Sequence, residues 1–207
     1  MQEAKILVLV GMPGAGKSTC VDYLATKDIP NVYFGGVVVD ETKRRYGKVN
    51  EELERTVRED LRAKEGKGAI ATRIIAKIEA LVADGHTRVV ADGLYSWTEY
   101  KLFKDHWGDN AIIVAVAAPR HVRHERLTNR PVRPLTDTEV TAREYAEIEH
   151  IEKGGPIANA DYTLVNTTTP EELRRRQQEG FTFLGYGPAD YSLLTDAARA
   201  GLAAFQR

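Results

Sequence analysis

Five short apolar runs punctuate the chain: IleLeuValLeuVal at 6–10, AsnValTyrPhe at 31–34, ArgValValAla at 88–91, AlaIleIleValAlaVal at 111–116 and TyrThrLeuVal at 162–165. They are short, β-branched and nearly unbroken, the pattern of strands buried on both faces. In the last run Tyr162 and Leu164 alternate with the other side of a core strand. Between the second and third runs Ile70, Ile74, Ile78 and Leu81 recur every three or four residues, which predicts a helix ending at Asp84 and Gly85, before His86. ThrProGluGlu at 169–172 offers a capping residue, a proline at the first helical position and a glutamate three residues on, the start of another helix. Strands alternating with helical segments predict an α/β fold, with a parallel sheet between two layers of helices.

Length and composition narrow this to one unit. At 207 residues, 43% of them hydrophobic, the chain suits a single large α/β domain or one with an inserted lid. Lys and Arg number 29 against 30 Asp and Glu, so the net charge of −1 gives no global reason to expect nucleic acid or an anionic membrane as partner. Any electrostatic function has to come from local clusters. The one cysteine, Cys20, excludes an intrachain disulfide framework and a multi-cysteine metal site, and it fits a reducing compartment. The opening MQEAKILVLVGMPG is too short an apolar run for a signal peptide or a membrane span, and it leads into glycines, so a cytoplasmic protein is expected.

Those glycines carry the strongest motif. In GMPGAGKST, Gly11, Gly16, Lys17 and Ser18 satisfy GxxxxGK[ST], placed between an apolar strand and a helix-compatible run. Such a turn directs backbone N–H groups inward as an anion nest, and the following helix adds its positive end. The residues expected at the nucleotide are therefore Gly11, Pro13, Gly14, Ala15, Gly16, Lys17, Ser18 and Thr19. Lys17 is expected on the β and γ phosphates of ATP and the Ser18 hydroxyl on Mg²⁺. A glycine-rich turn that binds nothing is the alternative, opposed by the completeness of the motif and its setting.

Phosphate binding alone does not separate kinases from switches and hydrolases. The AsnLysXaaAsp stretch that reads guanine in GTPases is absent from the sequence. Asp92, just beyond the third strand in ArgValValAlaAspGly, is an acid placed to hold a Mg²⁺ water or accept a proton, unless it only starts an AspGly turn. Residues 119–134 gather Arg120, Arg123, Arg126, Arg130 and Arg133 around one acid, Glu125. Arg123, Arg126 and Arg130 are spaced for one helical face, stopped by Pro131 and Pro134. The pattern reads as a helix entering a short lid, whose arginines suit the charge on a transferring phosphoryl group. A solvated basic face, or an RNA contact, competes with that reading, although no aromatic residue is interleaved. Thr136 and Glu139 form a capping box for a second lid helix carrying Arg143 and Glu144.

By these residues the chain resembles the nucleoside monophosphate kinase and dephospho-CoA kinase group of P-loop kinases, and most of all a small archaeal-type kinase family. The resemblance rests on GMPGAGKST, on VVADG, on the arginine helix ending NRPVRP and on ADYTLVN at 160–166, in order from about residue 4 to about residue 178. It implies a three-layer P-loop fold with a five-stranded parallel sheet of order 2-3-1-4-5, in a kinase domain over 1–178. It also implies acceptor-binding helices at about 36–68 and an arginine lid at about 126–143. ATP and Mg²⁺ are the implied cofactors. The implied catalytic set is Lys17, Asp92, Arg126, Arg130 and Arg133, with Mg²⁺ on Ser18 and Asp92. Arg130 also contacts nucleotide, and Asn166 and Thr167 lie near the adenine.

The chain departs from that group where the acceptor would sit. Gly36 and Val39 stand where related kinases often carry an acid and an arginine, and AspGly at 92–93 continues LeuTyrSerTrp in place of a phosphate-reading arginine. Asp40, Lys43, Arg44, Arg45, Tyr95 and Trp97 are candidate replacements, each equally readable as an ordinary surface or core residue. Arg62, Lys64, Lys67 and Arg73 have weaker grounds, and Asp40 rivals Asp92 as the key acid. His121 and His124 share a helix face but lack an acidic or cysteine partner at ligand spacing. Residues 179–207 form an extension of open role: a further strand and helix, a cover for the sheet, or a dimer contact. The expected protein is an ATP-dependent kinase of a nucleotide-like small molecule, a monomer or weak homodimer. The alternative is a nucleotide sensor or regulatory NTPase without phosphotransfer.

Overall fold

The computed structural model describes residues 4–131 and 133–166. Thr167, the helix start at 169–172 and the extension at 179–207 lie outside the described residues. Five parallel strands, β1 (Lys5–Val10), β2 (Asn31–Tyr33), β3 (Arg88–Asp92), β4 (Ala111–Ala117) and β5 (Tyr162–Val165), form one sheet in the order β2-β3-β1-β4-β5. The expected α/β fold and strand order are both present.

Strand polarity is low because each central strand feeds two cores. Ile6, Val8 and Val10 point into one and Leu7 and Leu9 into the other, and β4 divides Ile113 and Ala115 from Ile112, Val114 and Val116 in the same way. The first core is closed by α2 (Phe34–Tyr46), α3 (Glu51–Glu65), α4 (Ala69–Ala83) and α5 (Trp97–Trp107), through Val37, Leu61, Ile74 and Phe103 among others. On the opposite face α1 (Lys17–Ala25) contributes Cys20, Val21 and Leu24. In α4 the buried Ile70, Ile74 and Ile78 realise the expected periodicity, each worth roughly 1.5–3 kcal/mol of apolar burial.

Two local expectations are corrected. The second strand stops at Tyr33, and Phe34 is already helical. Phe34 turns fully into the core, while the Tyr33 ring folds back over Gly35, where a Cβ would collide with it. Arg130, expected on the face of a helix, instead caps α6 (Arg120–Asn129) with extended dihedrals of −66° and 142°. Pro131 disfavours helical geometry at the residue before it. The Thr136 and Glu139 capping box does open α7 (Asp137–Glu149), and a short α8 (Gly154–Ala158) leads into β5.

In α2, Glu41 accepts hydrogen bonds from Arg44 at 2.7 Å and from Arg45 at 2.6 Å, and Arg45 continues to Asp60 of α3. These partners hold the Glu41 carboxyl down to about 2 from 4.5. A depressed folded-state value means that the contribution is complete above pH 4.5 and is lost as pH falls toward 2. Glu41→Gln is therefore expected to flatten the loss of stability over that interval, read by urea unfolding at stepped pH.

Candidate functional site

The P-loop spans from the end of β1 to the start of α1, and its glycines are there for close approach. Gly14 (φ 77°) and Gly16 (φ 103°) lie in left-handed geometry, and a Cβ on Gly14 would strike the Arg123 backbone. At Gly16 a Cβ would run into the Asn166 amide. Pro13 and Ala15 are buried within the turn, while the Ser18 hydroxyl group belongs to an exposed residue at the first turn of α1 and Thr19 is half-buried beside it. Lys17 folds back on its own loop, donating to the Gly11 carbonyl at 2.8 Å and the Met12 carbonyl at 3.4 Å.

Two expected site residues brace this loop from behind. Asn166, buried just after β5, donates from its amide to the Ala15 carbonyl at 2.8 Å, and its backbone N–H donates to Ala117 at 2.7 Å. Arg126 donates to the Asn166 side-chain oxygen at 3.1 Å and to the Gly14 carbonyl at 3.3 Å. The loop is thus joined to α6 and to the end of β5 by side chains.

Asp92 is the last residue of β3, not a residue beyond it, and stands in register with Leu9 of β1 and Tyr33 of β2. The Gly93 N–H donates to the Leu9 carbonyl at 3.1 Å, turning the chain away at the edge of the P-loop. Burial raises the Asp92 carboxyl above its ordinary range, opposed by Lys17 and Lys153 and reinforced by Asp22. Burial likewise draws the Lys17 ammonium down to about 8 from 10.5; Lys153 adds to that fall, while Asp92 and Glu147 resist it. An acid and two cations therefore share the carboxyl ends of β1 and β3. Ser18 and Asp92 are oxygen donors of the kind Mg²⁺ takes, on adjoining elements.

Nothing in AlaGluIleGluHisIleGluLysGlyGly at 146–155 marks Glu147 or Lys153 as chemical in the sequence. Lys153 is 2% exposed, is ion-paired with Glu147, and lies 4.7 Å above the centre of the Tyr95 ring. Arg143 donates to the other Glu147 oxygen at 3.1 Å.

Arg130 and Arg133 stand between α6 and α7, with Arg130 donating to the Arg133 carbonyl at 2.6 Å. Among the described residues neither has a carboxylate partner. Burial lowers Arg130 from its ordinary value, and the nearby charges of Arg143 and Arg133 add to this. Three guanidinium groups, Arg130, Arg133 and Arg143, thus lie near one another. Arg123 and Arg120 are committed elsewhere, to the buried Glu144, which also meets His124 at 3.1 Å. Glu144→Ala would leave Arg123 buried without its acid and is expected to cost about 3–5 kcal/mol by denaturant unfolding.

Most candidate acceptor groups prove to be engaged with their neighbours. Asp40 is 71% exposed and pairs with Lys77 of α4 at 3.0 Å. Arg44 and Arg45 are held by Glu41, Arg73 pairs with Glu65 at 2.6 Å and Lys64 with Asp60 at 2.9 Å. Lys67 lies 3.8 Å from Glu152. Trp97 stacks on Tyr100 at 4.8 Å between centroids. Tyr95 and Tyr33 border Gly93, next to Asp92, so these two aromatics adjoin the site.

A family model described as an AAA domain matches residues 10–152. A UPF0200 protein of Thermococcus onnurineus is 36% identical over 177 residues, spanning 84% of this chain and 95% of its own length. The crystal structure of TT1252 from Thermus thermophilus aligns with a TM-score of 0.55 at 22% identity, over 86% of this chain and 96% of that one. Another, from Chloroflexus aurantiacus and only provisionally named a kinase, has a TM-score of 0.54 at 17% identity over 87% and 100% of the two chains. At those identities the structures speak for the fold alone. The chain belongs to the AAA-domain family that this model describes and to the UPF0200 proteins, on a five-stranded parallel P-loop fold.

Proposed function

We propose that this protein is an ATP-dependent kinase that moves the γ-phosphoryl group onto a nucleotide-like small molecule, a nucleoside monophosphate or a dephospho-CoA-like hydroxyl. The observation that carries the reading is the meeting of a P-loop lysine and a strand-end acid at the carboxyl ends of the neighbouring strands β1 and β3, with Arg143 of α7 acting on the same lysine. In the proposal the loop N–H groups and Lys17 bind the phosphates, and Arg130 and Arg133 close over the oxygens where charge develops. Mg²⁺, when bound, would neutralise phosphate charge. Ser18 and Asp92 would hold it, and Asp92 would also orient the acceptor. Arg126 and Asn166 keep the loop in shape, with Asn166 also near the base.

The pairing of Arg44, Arg45 and Arg73 with acids favours a second reading, a nucleotide sensor without an acceptor. Coupled ADP release across a panel of acceptors, against a control without acceptor, separates the two. Acceptor-dependent release supports the kinase; slow release indifferent to every acceptor supports the sensor. Arg130→Ala or Arg133→Ala is expected to lower kcat by about 10-fold or more while changing ADP affinity far less, since a group engaging developing charge acts in the transition state. Equal losses in both would mean ground-state anchoring.

A further inference from the structure

Lys153 is the least expected charge in the molecule. It is 2% exposed, yet it belongs to a short connection between α7 and α8 and not to a core strand. A buried lysine paired to a buried glutamate adds little net stability, because desolvating both ions offsets most of their attraction. The surroundings of this pair are more informative. Lys153 lies over the Tyr95 ring, three residues beyond Asp92, and after burial it is the largest influence lowering Lys17. Tyr95 in turn borders Gly93, next to Asp92, so two ammonium groups stand near the strand-end acid, and Asp92, Glu147 and Glu99 are the acids that offset one or both of them.

The partner acid has somewhere else to go. Glu147 accepts from Lys153 through one oxygen and from Arg143 through the other, at 3.1 Å for the latter. If Lys153 left, Glu147 would keep a guanidinium. The lysine stem is long and its ammonium can redirect, whereas the Glu147 backbone is fixed within α7.

We infer that Lys153 is a second phosphoryl-binding cation, parked on Glu147 in the free protein and transferred to the γ-phosphoryl oxygens when nucleotide binds, with Glu147 passing to Arg143. The inference rests on the proposed P-loop nucleotide site and extends it to a residue outside every motif. Its action is electrostatic; no bond to Lys153 forms or breaks.

The test separates phosphoryl contact from structural pairing. Lys153→Met alone leaves Glu147 paired with Arg143 only, the arrangement assigned to the bound state, so Lys153→Met is combined with Glu147→Gln in the full chain, removing both charges together. Calorimetry then follows Mg²⁺ with ADP, and with ADP plus beryllium fluoride, a stand-in for the γ-phosphoryl group. The double variant is expected to keep ADP affinity within about 3-fold of wild type but to lose at least about 10-fold of the tightening that beryllium fluoride produces. Full retention of that tightening overturns the inference. Should the double variant not fold, Lys153→Gln, whose amide can still bond Glu147, is read in the same way. A wild type that tightens with beryllium fluoride yet serves no acceptor sinks the kinase reading and leaves Lys153 to be judged by the variant. A wild type that binds no ADP overturns both.

Discussion

Asp92→Asn is expected to slow phosphoryl transfer by at least ~10²-fold, because organising a metal or taking a proton needs a charged carboxylate that the amide lacks. The residue ends β3 in register with Leu9, next to the strand that delivers the P-loop, and its carboxylate interacts with Lys17 and Lys153. The amide keeps the size of the side chain, so packing is retained and the loss reports chemistry. Its rival is placed quite differently. The helix carrying Asp40 does begin early, at Phe34, but Asp40 faces outward to Lys77. Asp40→Asn should therefore stay within about 2-fold of wild type, as surface changes usually do. Initial rates over a range of Mg²⁺ concentration check both variants. If Asp92→Asn acts through metal affinity, high Mg²⁺ recovers part of its rate. A larger loss in Asp40→Asn, with no response of Asp92→Asn to Mg²⁺, would move the key acid from the end of β3 to α2.

The sheet was readable from sequence because its central strands are covered on both faces. Such strands are apolar throughout, so IleLeuValLeuVal and AlaIleIleValAlaVal announce themselves without any tertiary knowledge. The P-loop and the Thr136 capping box were equally legible, since their hydrogen bonding and backbone geometry are local in the chain. The end of β2 was not, because Phe34 is apolar in either conformation and only the packing of Tyr33 over Gly35 decides it. The same holds for Arg130, where helical spacing suggested one face and the following proline imposed another geometry.

The candidate site was legible only in part, and chain separation explains the division. Lys17, Ser18 and Asp92 sit beside strand ends that the pattern itself locates. Lys153 and Glu147 reach the same place from a helix and turn more than 120 residues after the P-loop, by way of contacts no local spacing encodes. Asn166 lies between these cases. The resemblance put it beside the adenine, and the structure adds an anchor to the Ala15 carbonyl across 151 residues of chain. The acceptor side was the least legible, since a surface arginine in sequence looks the same whether it awaits a phosphate or, like Arg73, already holds Glu65.

Lys17→Ala is expected to lower phosphoryl transfer by about 10²–10³-fold while leaving the fold intact. Among the described residues the ammonium donates to carbonyls of its own loop, at Gly11 and Met12, so its removal breaks no hydrogen bond between those elements. It also removes a charge that folding disfavours. Burial and Lys153 hold Lys17 at about 8, below its ordinary 10.5, so the unfolded chain binds more protons between those values. Stability of the wild type should accordingly rise as pH climbs from 8 to 10.5, and the variant should lack that increment. A bound polyphosphate supplies the opposite charge and restores the ammonium, so adding Mg²⁺ and ADP should flatten the same rise in the wild type alone. Thermal unfolding at stepped pH, with and without nucleotide, measures each of these. Turnover at the wild-type rate in Lys17→Ala, or a nucleotide effect surviving there undiminished, would remove Lys17 from the phosphate site.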